Sequence, residues 1–283
     1  MTFIQNGMAG ETDFGKLGLG RVPMVLMYHG VEEVPFDPHT LCVTPAQFAG
    51  QMTWLAENGL RGVGMGELVA AMGAGRERGL VGLTFDDGYI NVLDSAVPEL
   101  LRHGFTATMF IISGLLGRTN EWEDERTPVW RLMSGEQVAK VAAAGMEIGS
   151  HSVTHPRLRG ISEERLRAEV SVSKSSLSEL VDQPVRGFAY PFGSMDAAAR
   201  EAVRKAGYDY ACAVETPLAN LGITALPRII FTQRDGVGRM AAKKMFFRSY
   251  TAARGTRRQL SYNPLTQRVK RGLSSIARPA RKD

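Results

Sequence analysis

Val81-Gly82-Leu83-Thr84-Phe85-Asp86-Asp87-Gly88-Tyr89 passes in one step from an apolar run to two adjacent carboxylates and a glycine. A short, continuous apolar run bounded by turn residues reads as a strand buried on both faces of a parallel sheet. The same design recurs on either side. Val22–Tyr28 (VPMVLMY) runs into His29, and Met146–Gly149 runs through Ser150 into His151. Helical patterns separate these runs. Pro45–Glu57 has Thr44 as N-cap, Pro45 in its first position and an apolar stripe of Phe48, Met52, Leu55 and Ala56. Asn91–His103, Ser134–Ala144 with a Ser-x-x-Gln box, Ser162–Leu180 and Met195–Ala206 read as further helices. Ala107–Ile112, Gly187–Tyr190, Tyr208–Ala213 and Ala225–Ile230 complete the strands. Strands alternating with helices predict an α/β protein of parallel βαβ units. The pattern leaves an open doubly wound sheet and a closed barrel as alternatives.

A chain of 283 residues fits one large α/β domain or two small ones, and 44% hydrophobic content supplies a sizeable core. The net charge of +5 conceals an asymmetry: residues 239–283 carry 13 Lys/Arg and one acidic residue, so +12 sits there and −7 in the remainder. The body is therefore not a nucleic-acid binder, and no nucleic acid is expected as a partner. Three segments follow: a Gly-rich, weakly patterned lead-in (1–20), a catalytic body (21–238) and a basic tail (239–283). In the tail, basic residues interleave with Phe246, Phe247 and Tyr250, a pattern suited to peripheral contact with an anionic membrane. A solvated tail is the plainer alternative, and nucleic-acid contact of the tail alone is a third. Cys42 and Cys212 form neither a CxxC pair nor a disulfide framework, which leaves a single bridge open. No basic n-region precedes an apolar h-region at the N-terminus, and no window approaches the ~18 apolar residues of a spanning helix. The expectation is a cytoplasmic protein, peripheral at the inner membrane face if the tail engages lipid.

His29, Asp86, Asp87 and His151 each follow an apolar strand, and parallel α/β folds assemble their sites at strand C-termini. His151 and His155, in Ser150-His-Ser-Val-Thr-His155-Pro156, would meet if this segment forms a helical turn. Neutral imidazole is the commonest metal ligand, and a third, carboxylate ligand would leave room for water and substrate. Two surface histidines capping a turn are the bland alternative. Adjacent carboxylates repel unless a cation compensates them. Asp86 and Asp87 point different ways, so one can bind metal while its neighbour faces substrate; an Asx turn eased by Gly88 is the alternative.

Thr84-Phe-Asp-Asp-Gly-Tyr89, His151-Ser-x-x-His155 and Arg186-Gly-Phe-Ala-Tyr-Pro191-Phe192-Gly193 together resemble the first three motifs of the polysaccharide deacetylase family. This is the NodB-homology domain of carbohydrate esterase family 4, and the resemblance runs in order over roughly residues 22–233. It implies a distorted (β/α) barrel of the NodB-homology type and a divalent metal, often zinc. It also implies Asp87, His151 and His155 as the ligands and Asp86 as general base. Arg186 would orient Asp86 by a charge-assisted contact, and the backbone N–H of Phe192 would help hold the oxyanion. Many members carry their general acid in a late Leu-x-His. Here the late stretch reads Leu226-Pro-Arg-Ile, and no histidine follows His155. A rearranged subgroup, resembling poly-N-acetylglucosamine deacetylases, has an N-terminal strand ending in Tyr-His. Met27-Tyr28-His29-Gly30 is similar to that element, which makes His29 the candidate acid, with a structural strand-end histidine as the alternative.

The implied activity is removal of N-acetyl groups from a sugar or polysaccharide. A deformylase or O-acetyl esterase on a sugar, lipid-linked or not, and a catalytically silent sugar-binding module are the alternatives. His39 and His103 read as bland. Trp122 and Trp130 flank an acidic loop, Glu123 to Glu125, whose composition suits sugar contact but suits a solvated loop better.

Overall fold

Side chains at alternate positions of each strand decide this architecture, because one set faces helices and the other fills a barrel. The computed structural model describes residues 23–122, 127–214 and 222–244. Ten strands are described: β1 (Val25–Tyr28), β2 (Gly30–Val31), β3 (Cys42–Val43), β4 (Arg61–Val63), β5 (Leu80–Phe85), β6 (Thr108–Ile111), β7 (Glu147–Ser150), β8 (Gly187–Ala189), β9 (Tyr210–Cys212) and β10 (Ile229–Ile230). The helices are α1 (Pro45–Glu57), α2 (Met65–Gly73), α3 (Val97–Arg102), α4 (Gly135–Ala143), α5 (Glu163–Arg167), α6 (Ser173–Val181) and α7 (Ala197–Lys205). The main sheet runs β10-β1-β5-β6-β7-β8-β9 with every pairing parallel, and β4 pairs with the first half of β5. The sheet curls until its ends meet at one parallel bridge, Cys212 with Leu226. Curling of this kind settles the open alternative in favour of a distorted (β/α) barrel.

Two cores result. Leu83, Phe85, Met109, Ile111 and Ile148 face outward against the helices, together with Phe48, Met52 and Leu55 of α1. Val25, Phe110, Ala189, Tyr210, Cys212 and Leu226 fill the interior, and Met65 and Leu68 of α2 join them from the N-terminal end. Glycines make room inside: a Cβ at Gly149 would press on Phe110, and one at Gly187 would overlap the Tyr210 ring. Small residues opposite large ones are how a narrow barrel accommodates both. At the floor, the Glu147 carboxylate accepts from Gly66 N, Thr108 Oγ1 and the Tyr210 hydroxyl.

Local signals account for the helix boundaries. Thr44 caps α1 and Ser134 caps α4, each in a complete capping box with the glutamine three residues on. Asn91–His103, read from sequence as one helix, begins instead with a π turn at Val92–Ala96 before α3. Pro98 explains the change, since it has no N–H to donate back along the helix. A second π turn, Ala168–Val172, joins α5 to α6 where the sequence suggests one uninterrupted helix. β4 and α2 had no clear signal: the strand is three residues long, and the helix starts at Gly64 without a side-chain cap.

The expected body boundary at 238 falls inside a helix spanning 237–244. Met240 is fully buried, Lys243 pairs with Asp235 at 2.8 Å, and Lys244 lies over the Trp54 ring. Two of the tail cations, Lys243 and Lys244, thus pack on the body. The lead-in, the acidic loop at Glu123 to Glu125 and the remaining tail lie outside the described residues. Cys42 and Cys212 are separate buried thiols, which closes the question of a bridge between them. Among the described residues, no helix is long and apolar enough to cross a membrane.

Gly187→Ala should lower unfolding free energy by about 1–3 kcal/mol through overpacking against Tyr210. Urea denaturation with an unchanged m-value would register this.

Candidate active site

Parallel register brings the chemistry to one mouth of the barrel. Tyr28 pairs with Phe85, so His29 and Asp86 leave adjacent strands side by side, and Asp86 N donates to Tyr28 O. Ile111 pairs with Ser150, and His151 N donates to Ile111 O. Thr84 and Asp86 share the interior face of β5, two residues apart.

Asp87 Oδ1 lies 3.4 Å from both His151 Nε2 and His155 Nε2, and the two nitrogens lie 3.3 Å apart. All three residues are buried. Four-coordinate metal bonds of about 2.1 Å imply ligand atoms about 3.4 Å apart. The triangle has that edge. His151 Nδ1 donates to Ala189 O at 2.8 Å, which assigns its free nitrogen to the triangle. These residues therefore fit a divalent cation.

The histidines do not meet on a helical turn, as the four-residue spacing suggested. The segment is an irregular loop in which Ser152 (φ 70) and His155 (φ 59) are left-handed. Asp87 (φ 70) and Phe192 (φ 55) share this conformation, so four of the six non-glycine positive-φ residues described belong to the site. Such strain persists only where surroundings over-determine it.

Asp86 is gripped by a residue the motif comparison did not select. Arg228 Nη1 and Nη2 donate to its two oxygens at 2.6 and 2.8 Å, and Arg228 is fully buried. Nη1 also donates to Thr84 Oγ1 and Nε to Ala213 O, and the guanidinium lies 5.4 Å from the Phe110 ring centroid. Arg186, expected in this role, precedes β8 at the opposite end of the barrel. It is solvent-exposed and pairs with Asp209 at 3.0 Å. A three-residue strand of about 10 Å separates that end from the site. A cavity of about 450 Å³ also lies at that far end, lined by Glu67, Glu147 and Arg186 among others, away from the histidines. The signal for Arg228 was in the sequence: one cation inside Ala225-Leu-Pro-Arg-Ile-Ile-Phe231 must find a buried anion.

Charge compensation shapes the titration of each group. Burial by itself would raise Asp86, but Arg228 and His151 outweigh it and hold the carboxyl below its ordinary range. Burial opposes ionisation of Asp87 too, and contacts with His151, His155 and His29 overcome it. The imidazoles diverge. Burial pushes His155 down to about 3, whereas Asp86 and Asp87 lift His151 above its usual value despite burial.

His29 is half-buried, and its Nδ1 has no hydrogen-bond partner among the described residues. It acts electrostatically on both aspartates and on His155. Phe192 packs its ring 4.5 Å from His155, under the Arg157 guanidinium. Trp122, read from sequence as flanking an acidic loop, packs its ring 4.7 Å from that of His155. His103 instead pairs with Glu99 at the end of α3, away from the site.

The profile of the family described as "Polysaccharide deacetylase" matches residues 74–211. The Bacillus subtilis (strain 168) protein YxkH is 27% identical over 209 residues, covering 72% of this chain and 70% of that one. The poly-beta-1,6-N-acetyl-D-glucosamine N-deacetylase of Escherichia coli (strain K12) is 23% identical over 254 residues. That match covers 77% of this chain, which spans only 38% of the relative. Among solved structures, the Streptococcus pyogenes deacetylase PplD in complex with acetate aligns with a TM-score of 0.67 at 23% identity, over 78% of this chain and 96% of that one. This likeness extends the barrel assignment.

Arg228→Ala should cost about 3–5 kcal/mol of stability by leaving a buried carboxylate uncompensated. Arg186→Ala should stay within about 0.5 kcal/mol, as for an ordinary surface substitution. Urea denaturation of the two variants distinguishes the residues.

Proposed function

We propose that the chain, whose residues 74–211 match the polysaccharide deacetylase profile, is a member of that family and a metal-dependent hydrolase that removes N-acetyl groups from a sugar or polysaccharide. The products are acetate and a free amine. One observation carries the reading: a carboxylate–imidazole–imidazole triangle with metal-ligand edges lies beside a separate, arginine-bound carboxylate. Hydrolysis by activated water needs these two groups together, whereas a sugar-binding module has no use for the pair.

Asp87, His151 and His155 would hold the cation, with zinc favoured by the nitrogen-rich, four-coordinate spacing. A bound divalent ion supplies polarisation of the acyl carbonyl and a more acidic water. The protein's own residues do the rest. Asp86 takes the proton of the attacking water, and Arg228 keeps it ionised at neutral pH at some expense of basicity. The backbone N–H of Phe192, a residue in left-handed conformation after Pro191, would help hold the developing oxyanion. His29, beside both aspartates, delivers a proton to the departing amine. Trp122 and Phe192 both pack against the His155 ring, aromatic surface that suits the apolar face of a sugar ring.

A poly-β-1,6-N-acetylglucosamine oligosaccharide is the substrate to test first, on the precedent of the Escherichia coli relative. The full chain should release acetate from it, lose activity on chelation and regain it with Zn²⁺. Asp86→Asn should lower kcat/KM about 10²- to 10⁴-fold, the usual contribution of a general base. Release of formate from N-formylated sugar, with N-acetyl substrates untouched, would reassign the acyl group. Absence of turnover on every acylated sugar, with binding retained, would sink the enzymatic reading.

A further inference from the structure

The loop carrying both histidines has no regular secondary structure to hold it, yet its conformation fixes the donor triangle. What holds it comes from the π turn between α5 and α6. Glu169, buried on that turn, accepts from Val153 N at 3.0 Å, Thr154 N at 2.9 Å and Thr154 Oγ1 at 2.5 Å. One side chain thus binds three donors from the residues between the two ligands. On the loop's other side, Ser113 N and Gly114 N donate to Ser152 O and Val153 O.

The widened turn also presents its own carbonyls. Ser173 Oγ donates to Glu169 O, the Tyr208 hydroxyl donates to Val170 O, and Ser150 Oγ donates to Ser173 Oγ. Ser150 Oγ in turn accepts from Ser152 N, and Ser152 Oγ accepts from His155 N. An unbroken polar chain therefore runs from the π turn to the backbone of the second histidine. A regular helix would satisfy those carbonyls internally and would carry Glu169 round to another face.

We propose that Glu169 is the positioning residue of the metal centre: seated on a π turn, its carboxylate clamps the loop and sets the His151–His155 spacing, and with it the affinity for the cation. The inference rests on the metal-site reading of Asp87, His151 and His155. Outer partners of metal ligands commonly contribute about tenfold to hundredfold in affinity, and a three-donor carboxylate is placed to do so here.

The test uses the full chain stripped by a chelator, with Zn²⁺ affinity read by competition against a chromophoric chelator and site geometry read from the Co²⁺ visible spectrum. Glu169→Gln preserves volume but removes the charge and one acceptor oxygen. It should weaken Zn²⁺ binding about tenfold to hundredfold and shift the Co²⁺ bands. Thr154→Val, at an exposed position, removes one of the three donors and should weaken Zn²⁺ about three- to tenfold. If Glu169→Gln does not fold, Thr154→Val decides alone. Wild-type Zn²⁺ affinity and Co²⁺ spectra in the variants, with only the metal-free melting temperature lowered, would make Glu169 a fold residue and overturn the proposal. Failure of the wild-type chain itself to bind Zn²⁺ or Co²⁺ would overturn the metal-site reading and this one together.

Discussion

The paired contact between Arg228 and Asp86 is the interaction on which the site depends. Two aspartates and two imidazoles crowd one barrel mouth, and without a resident cation their burial would favour neutral carboxyls. Arg228 reverses that preference for Asp86, and Asp86 in turn raises His151. The interior accommodates a guanidinium because its neighbours give it both room and acceptors. Thr84 and Ala213 take its remaining N–H groups, and the Phe110 face lies alongside. Gly149 leaves the space taken by the Phe110 ring that lies alongside the guanidinium.

Above this pair the backbone is bent out of ordinary conformations. Asp87, Ser152, His155 and Phe192 are all left-handed, each on a different turn or loop position, and none is glycine. A β-branched or bulky side chain in that region costs energy that regular structure avoids. Here the constraint comes from hydrogen bonds: Gly88 N to Asp86 O, His155 N to Ser152 Oγ, Gly193 N to Tyr190 O. Rigidity of this kind places donors before a ligand arrives, so that little ordering remains to be done on binding.

Much of the fold was legible in the sequence because short apolar runs and capping boxes act locally. Thr44, Pro45 and Gln47 specify the start of α1 almost unaided, and Ser134 with Gln137 does the same for α4. Histidines and aspartates at strand ends were visible for the same reason. What escaped was either too short or too distant. β4 has three residues, and the π turns shift register without altering composition. The partner of Asp86 lies 142 residues away in sequence, and only barrel closure makes them neighbours. Arg186 stood beside a motif and was credited with the role, but its position before β8 points it to the opposite mouth. Trp122 was hidden in a stretch whose composition is that of an ordinary loop.

The seam of the barrel touches the charged pair at a single residue. Ala213 donates its N–H to Leu226 O across the closing bridge, while its carbonyl receives Arg228 Nε. One residue thereby serves both the last stitch of the cylinder and the first anchor of the guanidinium. Parting the strands there would take away one acceptor, the Ala213 carbonyl, while Arg228 stays with β10, β1 and β5, on the same side of the seam as Thr84 and Asp86. A fluctuation confined to that edge would therefore retune the remaining contacts of the guanidinium without breaking the charged pair, so the cylinder can flex where it closes and keep its carboxylate ionised.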